Sequence, residues 1–234
     1  MSISISQVVK MFGTQTALNG VSFEAKKGEV IGFLGPNGAG KSTMMKIITG
    51  YIPCNSGKVS VCGFDVNEKP LEVKKRVGYL PEHNPLYTDM YVREYLTFAG
   101  SLHGVKNLKK RVEEVIAIVG LTPEAHKPIQ QLSKGYRQRV GLAQAIIHDP
   151  EVLILDEPTS GLDPNQIADI REVIMQMGKE KTVLLSTHIM QEVEAMCSRV
   201  IIINRGNVVA NAPVNELTAS DQKLEQVFKE LTTK

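Results

Sequence analysis

Apolar residues alternate with polar ones near the start of the chain and form short continuous runs further along it. The alternation at 3–9 and 20–24 predicts two half-buried antiparallel strands. The run at 151–155 has the composition of a strand that is buried on both faces of a parallel sheet. Similar short runs predict further strands at 30–34, 59–61, 77–80, 183–186, 200–203 and 207–210.

The apolar period changes to three or four residues between positions 91 and 148. This spacing predicts two helices over 91–120, with a break at Gly104 and Asn107, and a third helix over 133–148. The predicted buried faces are Val92, Leu96, Ala99 and Leu102 in the first helix and Val112, Val115, Ile116 and Val119 in the second. Further helices are expected at 43–49, 164–177 and 190–196, and an amphipathic one through Leu224, Val227, Phe228 and Leu231.

These elements predict a single α/β domain over residues 1–234 with a mostly parallel sheet. The core and an N-terminal antiparallel β subdomain are expected at about 1–90 and 149–212. An inserted α-helical subdomain is expected at about 91–148, and a C-terminal helix at about 213–234.

The composition is ordinary for a soluble globular protein, with 42% hydrophobic and 22% charged residues. The net charge of +2 gives no indication of nucleic-acid binding. No segment approaches the roughly 18 consecutive apolar residues of a membrane span, and the first residues lack the pattern of a signal peptide. We therefore expect a cytoplasmic protein with reduced thiols at Cys54, Cys62 and Cys197, so any membrane-spanning part of its assembly belongs to another polypeptide.

The octapeptide GPNGAGKS at 35–42 fits the phosphate-binding pattern G-x-x-x-x-G-K-[ST] at every fixed position. Glycines allow backbone N–H groups to point at phosphate oxygens, Lys41 brings a positive charge to the β- and γ-phosphates, and Ser42 is a Mg²⁺ ligand. A predicted strand precedes the octapeptide and a predicted helix follows it, as the pattern requires. The sequence therefore predicts a P-loop NTPase core that holds a nucleoside triphosphate through Gly35, Pro36, Asn37, Gly38, Ala39, Gly40, Lys41, Ser42 and Thr43.

Two carboxylates, Asp156 and Glu157, follow the apolar run at 151–155. Adjacent side chains at the end of a strand point in different directions and can serve different purposes. We expect Asp156 to lie in the Mg²⁺ shell beside Ser42, and Glu157 to orient or deprotonate the attacking water. The alternative interpretation is a solvated strand terminus.

Three more segments complete a family pattern. LSKGYRQR at 132–139 resembles the signature of the nucleotide-binding subunits of ABC transporters, SGLD at 160–163 resembles their D-loop, and STH at 186–188 resembles the segment with their switch histidine. The order and spacing match from about residue 2 to residue 211. The resemblance therefore covers nearly the whole chain.

This resemblance implies an ATPase that uses ATP and Mg²⁺ and pairs with a second copy of itself or with a related ATPase subunit. The phosphate loop of one subunit then faces the signature of the other, which gives two composite sites. Ser133 and the backbone N–H of Gly135 are expected to contact the γ-phosphate on the partner subunit, and His188 is expected to hydrogen-bond a γ-phosphate. A purely structural histidine is the alternative for His188.

Four positions depart from the family pattern. Phe12 takes the place of the usual adenine-stacking Tyr; its phenyl ring still offers a π face, and packing in the core is the alternative. Glu82 stands where the family has Gln, and we expect its carboxylate to coordinate Mg²⁺ within the catalytic site. Lys134 and Tyr136 replace Gly and Gln in the signature, and Lys134 either contacts the partner's nucleotide or is solvated.

The segments at 77–96 and 186–195 resemble the ABC-2 type exporters, and especially the ATP-binding subunits of gliding-motility-associated transporters. The resemblance implies an integral membrane permease as partner, with this chain on the inner face of the cell membrane. Such relatives often carry a further C-terminal region before an ending like the one at 224–231. Here that ending follows soon after the last predicted strand, so we expect either that the region is missing or that this is a shortened chain. A coupling helix of the permease is expected at Pro85, Leu86, Tyr87, Met90 and Tyr91, unless these residues only pack the helical subdomain onto the core.

Other functions within the same superfamily are less consistent with the sequence. A chromosome-maintenance ATPase needs a long coiled coil between the phosphate loop and the signature, and residues 43–131 contain no sustained heptads. A ribosome-associated ABC protein usually carries two such domains joined by a basic linker. A soluble nucleotide switch without a transport partner stays open as the alternative function.

Overall fold

The computed structural model describes residues 1–218 and 223–233. The strands are β1 (Ile3–Phe12), β2 (Gln15–Ala25), β3 (Val30–Leu34), β4 (Ser56–Val61), β5 (Phe64–Asp65), β6 (Val77–Leu80), β7 (Val152–Asp156), β8 (Thr182–Thr187), β9 (Arg199–Asn204) and β10 (Asn207–Pro213). The α-helices are α1 (Lys41–Ile48), α2 (Pro70–Lys74), α3 (Val92–Leu102), α4 (Leu108–Ile118), α5 (Lys134–Ile146), α6 (Pro164–Gly178), α7 (Met190–Met196), α8 (Val214–Leu217) and α9 (Leu224–Thr232).

The strands form two sheets. The first has the order β2-β1-β4-β5 and is antiparallel throughout. The second has the order β10-β9-β3-β8-β7-β6, in which only the pair of β9 and β10 is antiparallel among the described strands. These two sheets, with α3 to α5 between β6 and β7, confirm the predicted fold class of an α/β core with an antiparallel N-terminal sheet.

Side chains on β3 show how the layers are held together. Ile31 and Phe33 pack against β1, β2 and α1, whereas Val30 and Leu34 join the cluster on the other face of the sheet. This alternation is what a strand buried on both faces requires. Full burial of one such side chain contributes about 1.5–3 kcal/mol, so the middle of the large sheet is a rigid base for the loops at its carboxyl edge.

The strand order brings three loops of interest together. β3, β8 and β7 are neighbours, and their carboxyl ends lie at the same edge of the sheet because they are parallel. The phosphate loop follows β3, the acids end and follow β7, and His188 follows β8. Ligands of open α/β sheets bind outside this edge.

Several element bounds differ from the sequence-based predictions. β2 begins five residues earlier than predicted, because pairing of Phe12 with Gln15 and of Met11 with Thr16 continues the hairpin through a polar stretch. β5 and α2 were not predicted, since each is short and α2 buries only Val73.

Leu102 was wrongly predicted to lie on the buried face of the first helix. The side chain is 71% exposed, because Leu102 is the last residue of α3, beyond the buried residues of that helix. Val92, Leu96 and Ala99 are buried as predicted.

The predicted C-terminal helix at about 213–234 corresponds to two helices, α8 and α9, in the described residues. The parts of this prediction that fall on 219–222 and 234 lie outside the described residues. No helix among residues 1–218 and 223–233 combines the length and the apolar character needed to cross a bilayer.

Candidate nucleotide-binding and catalytic site

The phosphate loop has a shape that excludes larger residues at two positions. Gly40 precedes α1 with φ of 110°, and a Cβ there would lie 2.5 Å from the carbonyl oxygen of Ala17. A Cβ on Gly35 would lie 2.5 Å from the carbonyl oxygen of Ile203. Glycine at these positions lets the backbone pass between β2 and β9 and turn into the helix.

The N-terminus of α1 and Lys41 give this loop its positive character. The first N–H groups of a helix have no intrahelical acceptor, so those of Lys41, Ser42 and Thr43 are free to bind an anion. Lys41 Nζ donates to the carbonyl oxygens of Gly35 at 2.7 Å and of Pro36 at 3.3 Å, which holds its stem across the loop. Burial lowers the pKa of Lys41, and the charges of Glu157, Asp156 and Glu82 partly oppose this effect.

Ser186 fixes both acids that follow β7. Asp156 and Ser186 are register partners in the parallel pair of β7 and β8. The Ser186 hydroxyl donates to the Asp156 carboxylate, and the backbone N–H of Glu157 donates to Ser186 Oγ and to its carbonyl oxygen, each at 3.1 Å. Asp156 and Glu157 are both buried, which excludes the alternative of a solvated strand terminus.

Glu157 and His188 are in direct contact. His188 Nδ1 lies 2.9 Å from Glu157 Oε2, with His188 half-exposed and Glu157 buried. Burial raises the pKa of Glu157 above its ordinary value, and the hydrogen bond from His188 and the charge of Lys41 counteract part of the rise. A carboxylate with a raised pKa is a better proton acceptor than a fully solvated one.

Much of the phosphate loop, Glu157 and His188 line one cleft of about 500 Å³. Phe12 stands at its wall with 51% of its surface exposed, which excludes the core-packing alternative. The Nζ of Lys10 lies 5.1 Å from the centre of the Phe12 ring and forms a cation–π contact with it. The cleft is lined by Phe12, Gln15, Ala17, Asn37, Gly38, Gly40, Lys41, Ser42, Thr43, Glu82, Glu157, Ser160 and His188.

A second cavity, of about 620 Å³, adjoins this cleft at Ser42 and Glu82 and also reaches Asp156. The hydroxyl and the two carboxylates form an oxygen-only ligand set, which suits Mg²⁺. Within the part of the chain that the structure describes, no group of three or more His, Cys, Asp and Glu side chains could hold an ion by itself. The residues present therefore fit a Mg²⁺ ion that takes its remaining ligands from water and substrate phosphates.

The signature residues lie apart from this cleft. Neither Ser133 nor Gly135 lines it. Ser133 is exposed and caps α5 by accepting a hydrogen bond from the N–H of Tyr136 at 3.3 Å, whereas Gly135 is buried beneath Gln166. The cleft therefore brings together most of the predicted phosphate-loop residues with Phe12, Glu82, Glu157 and His188. Asp156 lines the adjoining cavity, and Gly35, Pro36 and Ala39 belong to the loop without lining the cleft.

Lys134 of the signature contacts its own D-loop. The Lys134 side chain packs directly against Gly161 and occupies the space that a Cβ on Gly161 would need. Gln138, one turn further along α5, donates to the carbonyl oxygen of Pro158 at 2.9 Å. Helix α5 and the segment that follows β7 are thus held to each other.

Sequence reasoning missed the residues that support the catalytic groups. Ser186 was quoted only as part of the STH segment, although its position before the switch histidine was a usable signal. Thr159, Thr187 and Glu192 also form a buried hydrogen-bonded group next to the site. No sequence pattern singled out Glu192, which sits in an otherwise ordinary helix start.

Comparisons with known proteins agree with this geometry. Residues 18–160 match the family described as ABC transporter. The linearmycin resistance ATP-binding protein LnrL of Bacillus subtilis is 38% identical over 211 residues, which cover 89% of this chain and 68% of that protein. The Nod factor export ATP-binding protein I of Paraburkholderia xenovorans is 35% identical over 223 residues, with 94% of this chain and 73% of that protein covered.

A solved structure described as the ATP-binding subunit of an ABC transporter superimposes with a TM-score of 0.91, at 28% identity, and covers 100% of both chains. The chain therefore belongs to the ABC transporter family, as an ATP-binding subunit that hydrolyses ATP.

Proposed function

We propose that two copies of this chain, or this chain and a related ATPase subunit, close around two ATP molecules with Mg²⁺ and thereby drive a separate membrane-spanning subunit. One observation carries the proposal. The cleft contains the phosphate loop, Glu157 and the switch histidine, and Asp156 lines the adjoining cavity. The signature is absent from the cleft, because the same chain presents it elsewhere, at the exposed, capped start of α5. A second copy supplies the missing half, and a two-fold symmetric pair completes both sites.

The hydrolytic step assigns a role to each group in the cleft. Glu157 takes a proton from the attacking water while the water oxygen bonds to the γ-phosphorus. The bond between the γ-phosphorus and the β,γ-bridging oxygen breaks at the same time. Lys41 and the N–H groups at the start of α1 stabilise the phosphate charge. Ser42, Asp156 and Glu82 would hold Mg²⁺, which neutralises charge on the phosphates when bound.

The remaining site residues bind and orient the nucleotide. Phe12 offers an exposed ring at the wall of the cleft on which a base can stack. His188 contacts the γ-phosphate while its Nδ1 stays on Glu157. Ser133 and the N–H of Gly135 contact the γ-phosphate of the partner's nucleotide from the start of α5.

An aromatic surface in the segment between β6 and helix α3 fits the membrane subunit. Tyr87 is 59% exposed and makes edge-to-face contacts with Tyr95 and Phe98, whose ring centres lie 6.1 and 5.8 Å away. Tyr91 is also exposed, whereas Leu86 and Met90 pack against the core. The segment therefore anchors itself with two residues and presents its tyrosines outward, as a docking surface does.

We infer the direction of transport and the site of action from the names of the relatives. The names of the similar proteins refer to linearmycin resistance and Nod factor export, and this supports an exporter that this chain drives from the inner face of the cell membrane. The finer assignment to a gliding-motility-associated transporter is a prediction that rests on the resemblance of the segments at 77–96 and 186–195.

Purification of the tagged chain from its native cells in mild detergent tests this function. We expect a polytopic membrane protein at about one-to-one stoichiometry. Tyr87→Ala should reduce its recovery while ATP binding stays intact, and Val209→Ala, at an exposed apolar residue of β10, should not. Recovery of the chain with intact ATPase activity but without a membrane partner would instead support a soluble nucleotide switch.

A further inference from the structure

Glu192 is a carboxyl group with no access to solvent, in the first turn of α7. Oε2 accepts a hydrogen bond from the Thr187 hydroxyl at 2.7 Å, and Oε1 accepts one from the Thr159 hydroxyl. None of the ion pairs within residues 1–218 and 223–233 includes Glu192. Its carboxyl group is therefore held by hydroxyl groups.

The two threonines lie next to the two reacting groups, one in the loop after β7 and the other at the end of β8. Thr159 lies two residues after Glu157, in the segment that leads to the D-loop, and Thr187 directly precedes His188. Thr187 Oγ1 also accepts a hydrogen bond from the N–H of Ile189 at 3.1 Å, so it fixes the backbone on the far side of the histidine. The Glu192 side chain thus joins the loop after β7 to the end of β8, directly before His188.

Such a group is costly to bury. A carboxyl group surrounded by apolar packing loses its hydration, and two hydroxyl donors return only part of that free energy. Val193, the next residue, and Cys197 pack close to Gly32 of β3, so apolar side chains already hold this part of the chain against the sheet. Simple packing therefore gives no reason for an acid at this position.

We propose that Glu192 is a positioning residue, which keeps Glu157 and His188 in contact by holding Thr159 and Thr187 at a fixed separation. The inference rests on the roles proposed above for Glu157 and His188. Glu192 touches neither of them directly and acts through the two threonines. Glu192, Thr159 and Thr187 do not line the cleft, and the phosphate loop that holds the nucleotide lies outside this bridge.

Glu192→Gln tests the bridge with almost no change in volume. The amide oxygen can still accept from one threonine, but the amide nitrogen cannot accept from the other, whose hydroxyl proton loses its acceptor. We expect kcat for ATP hydrolysis to fall about tenfold, which corresponds to about 1.4 kcal/mol of activation free energy. The dissociation constant for ATP should change by less than about twofold, because the phosphate loop and Phe12 stay in place.

Glu194→Gln is the matched control on the same helix. Glu194 is exposed, and its contact is a hydrogen bond from the N–H of Leu224 at 3.3 Å, which an amide oxygen can replace. This variant should keep the parental kcat. Thr159→Val provides a second test if Glu192→Gln does not fold, since it removes the donor from the other end of the bridge.

The double variant Thr159→Val/Glu192→Gln separates positioning from general damage. If both act through the same contact, the double variant loses no more activity than the worse single variant. Losses that multiply, a parental kcat in Glu192→Gln, or a kcat that falls only in step with the folded fraction would overturn the inference. If Glu157→Gln itself kept full activity, the failure would lie with the assigned role of Glu157.

Discussion

Replacing Glu157 by Gln exchanges a buried carboxylate for an amide of nearly the same volume. The hydrogen bond from His188 Nδ1 can be kept, because the amide oxygen accepts as the carboxylate does. The backbone N–H of residue 157 also keeps both of its contacts with Ser186. The substitution therefore removes the proton acceptor and leaves the geometry of the two loops unchanged.

Because only the proton acceptor is removed, the loss of kcat in Glu157→Gln should equal the contribution of general base catalysis. General base catalysis contributes about a hundredfold to ten-thousandfold to a reaction rate. We expect kcat to fall about a thousandfold, or about 4 kcal/mol of activation free energy, with ATP affinity retained. Because binding continues without hydrolysis, the variant should accumulate as an ATP-bound dimer.

Steady-state ATPase assays and size-exclusion chromatography with ATP and Mg²⁺ measure the two effects. Glu151→Gln is the control, since Glu151 precedes the same strand at its opposite end and is largely exposed. A Glu157→Gln variant that hydrolyses ATP at the parental rate would refute the role assigned to this carboxylate.

The same variant carries a stability prediction with a definite sign. Folding raises the pKa of Glu157 above its ordinary value of 4.5, so the ionised carboxylate destabilises the folded chain at higher pH. Glu157→Gln should unfold at a higher temperature than the parent at pH 8. The difference should shrink as the pH falls through the raised pKa and vanish below 4.5, and a difference independent of pH would contradict the reasoning.

Two further predictions concern residues around the second cavity. Glu82→Gln should depend less on Mg²⁺ than the parent, because a carboxylate beside Ser42 and Asp156 adds charge that the ion must neutralise; equal Mg²⁺ titrations of ATPase activity would count against this. Burial lowers the pKa of His148 to about 4, so the parent should lose stability as the pH falls from about 6.5 towards 4. His148→Gln should lose less, and thermal unfolding at pH 7.5 and 5 measures the difference.

The parts of the site that could be predicted are those encoded in continuous segments. Each of these parts can be recognised from a short stretch of sequence: the loop at 35–42, the acids after one buried strand and the histidine after another. Their adjacency depends on the strand order β3-β8-β7, which differs from the order along the chain. This order was not predicted, because periodicity predicts strands and not their neighbours.

The supporting contacts could not be predicted for a physical reason. Thr159 and Glu192 are 33 residues apart and meet because β7 and β8 are neighbours in the sheet. From the sequence, Glu192 resembles any acid in the first turn of a helix, where it would stabilise the helix dipole from the surface. Leu102 was predicted to be buried and is exposed. The helical period was correct, but the last turn of α3 extends beyond the residues that pack against the helix.

The most direct test of the composite site mixes two variants that are each inactive. Lys41→Ala damages the phosphate loop, and Ser133→Asp places a negative charge at the signature while Asp still caps α5. A mixed dimer has one site with both defects and one site with none. An equal mixture should regain about one quarter of the parental ATPase activity, because half of the dimers are mixed and half of their sites are intact. A mixture no more active than the separate variants would contradict the claim that ATP is hydrolysed between two copies of this chain.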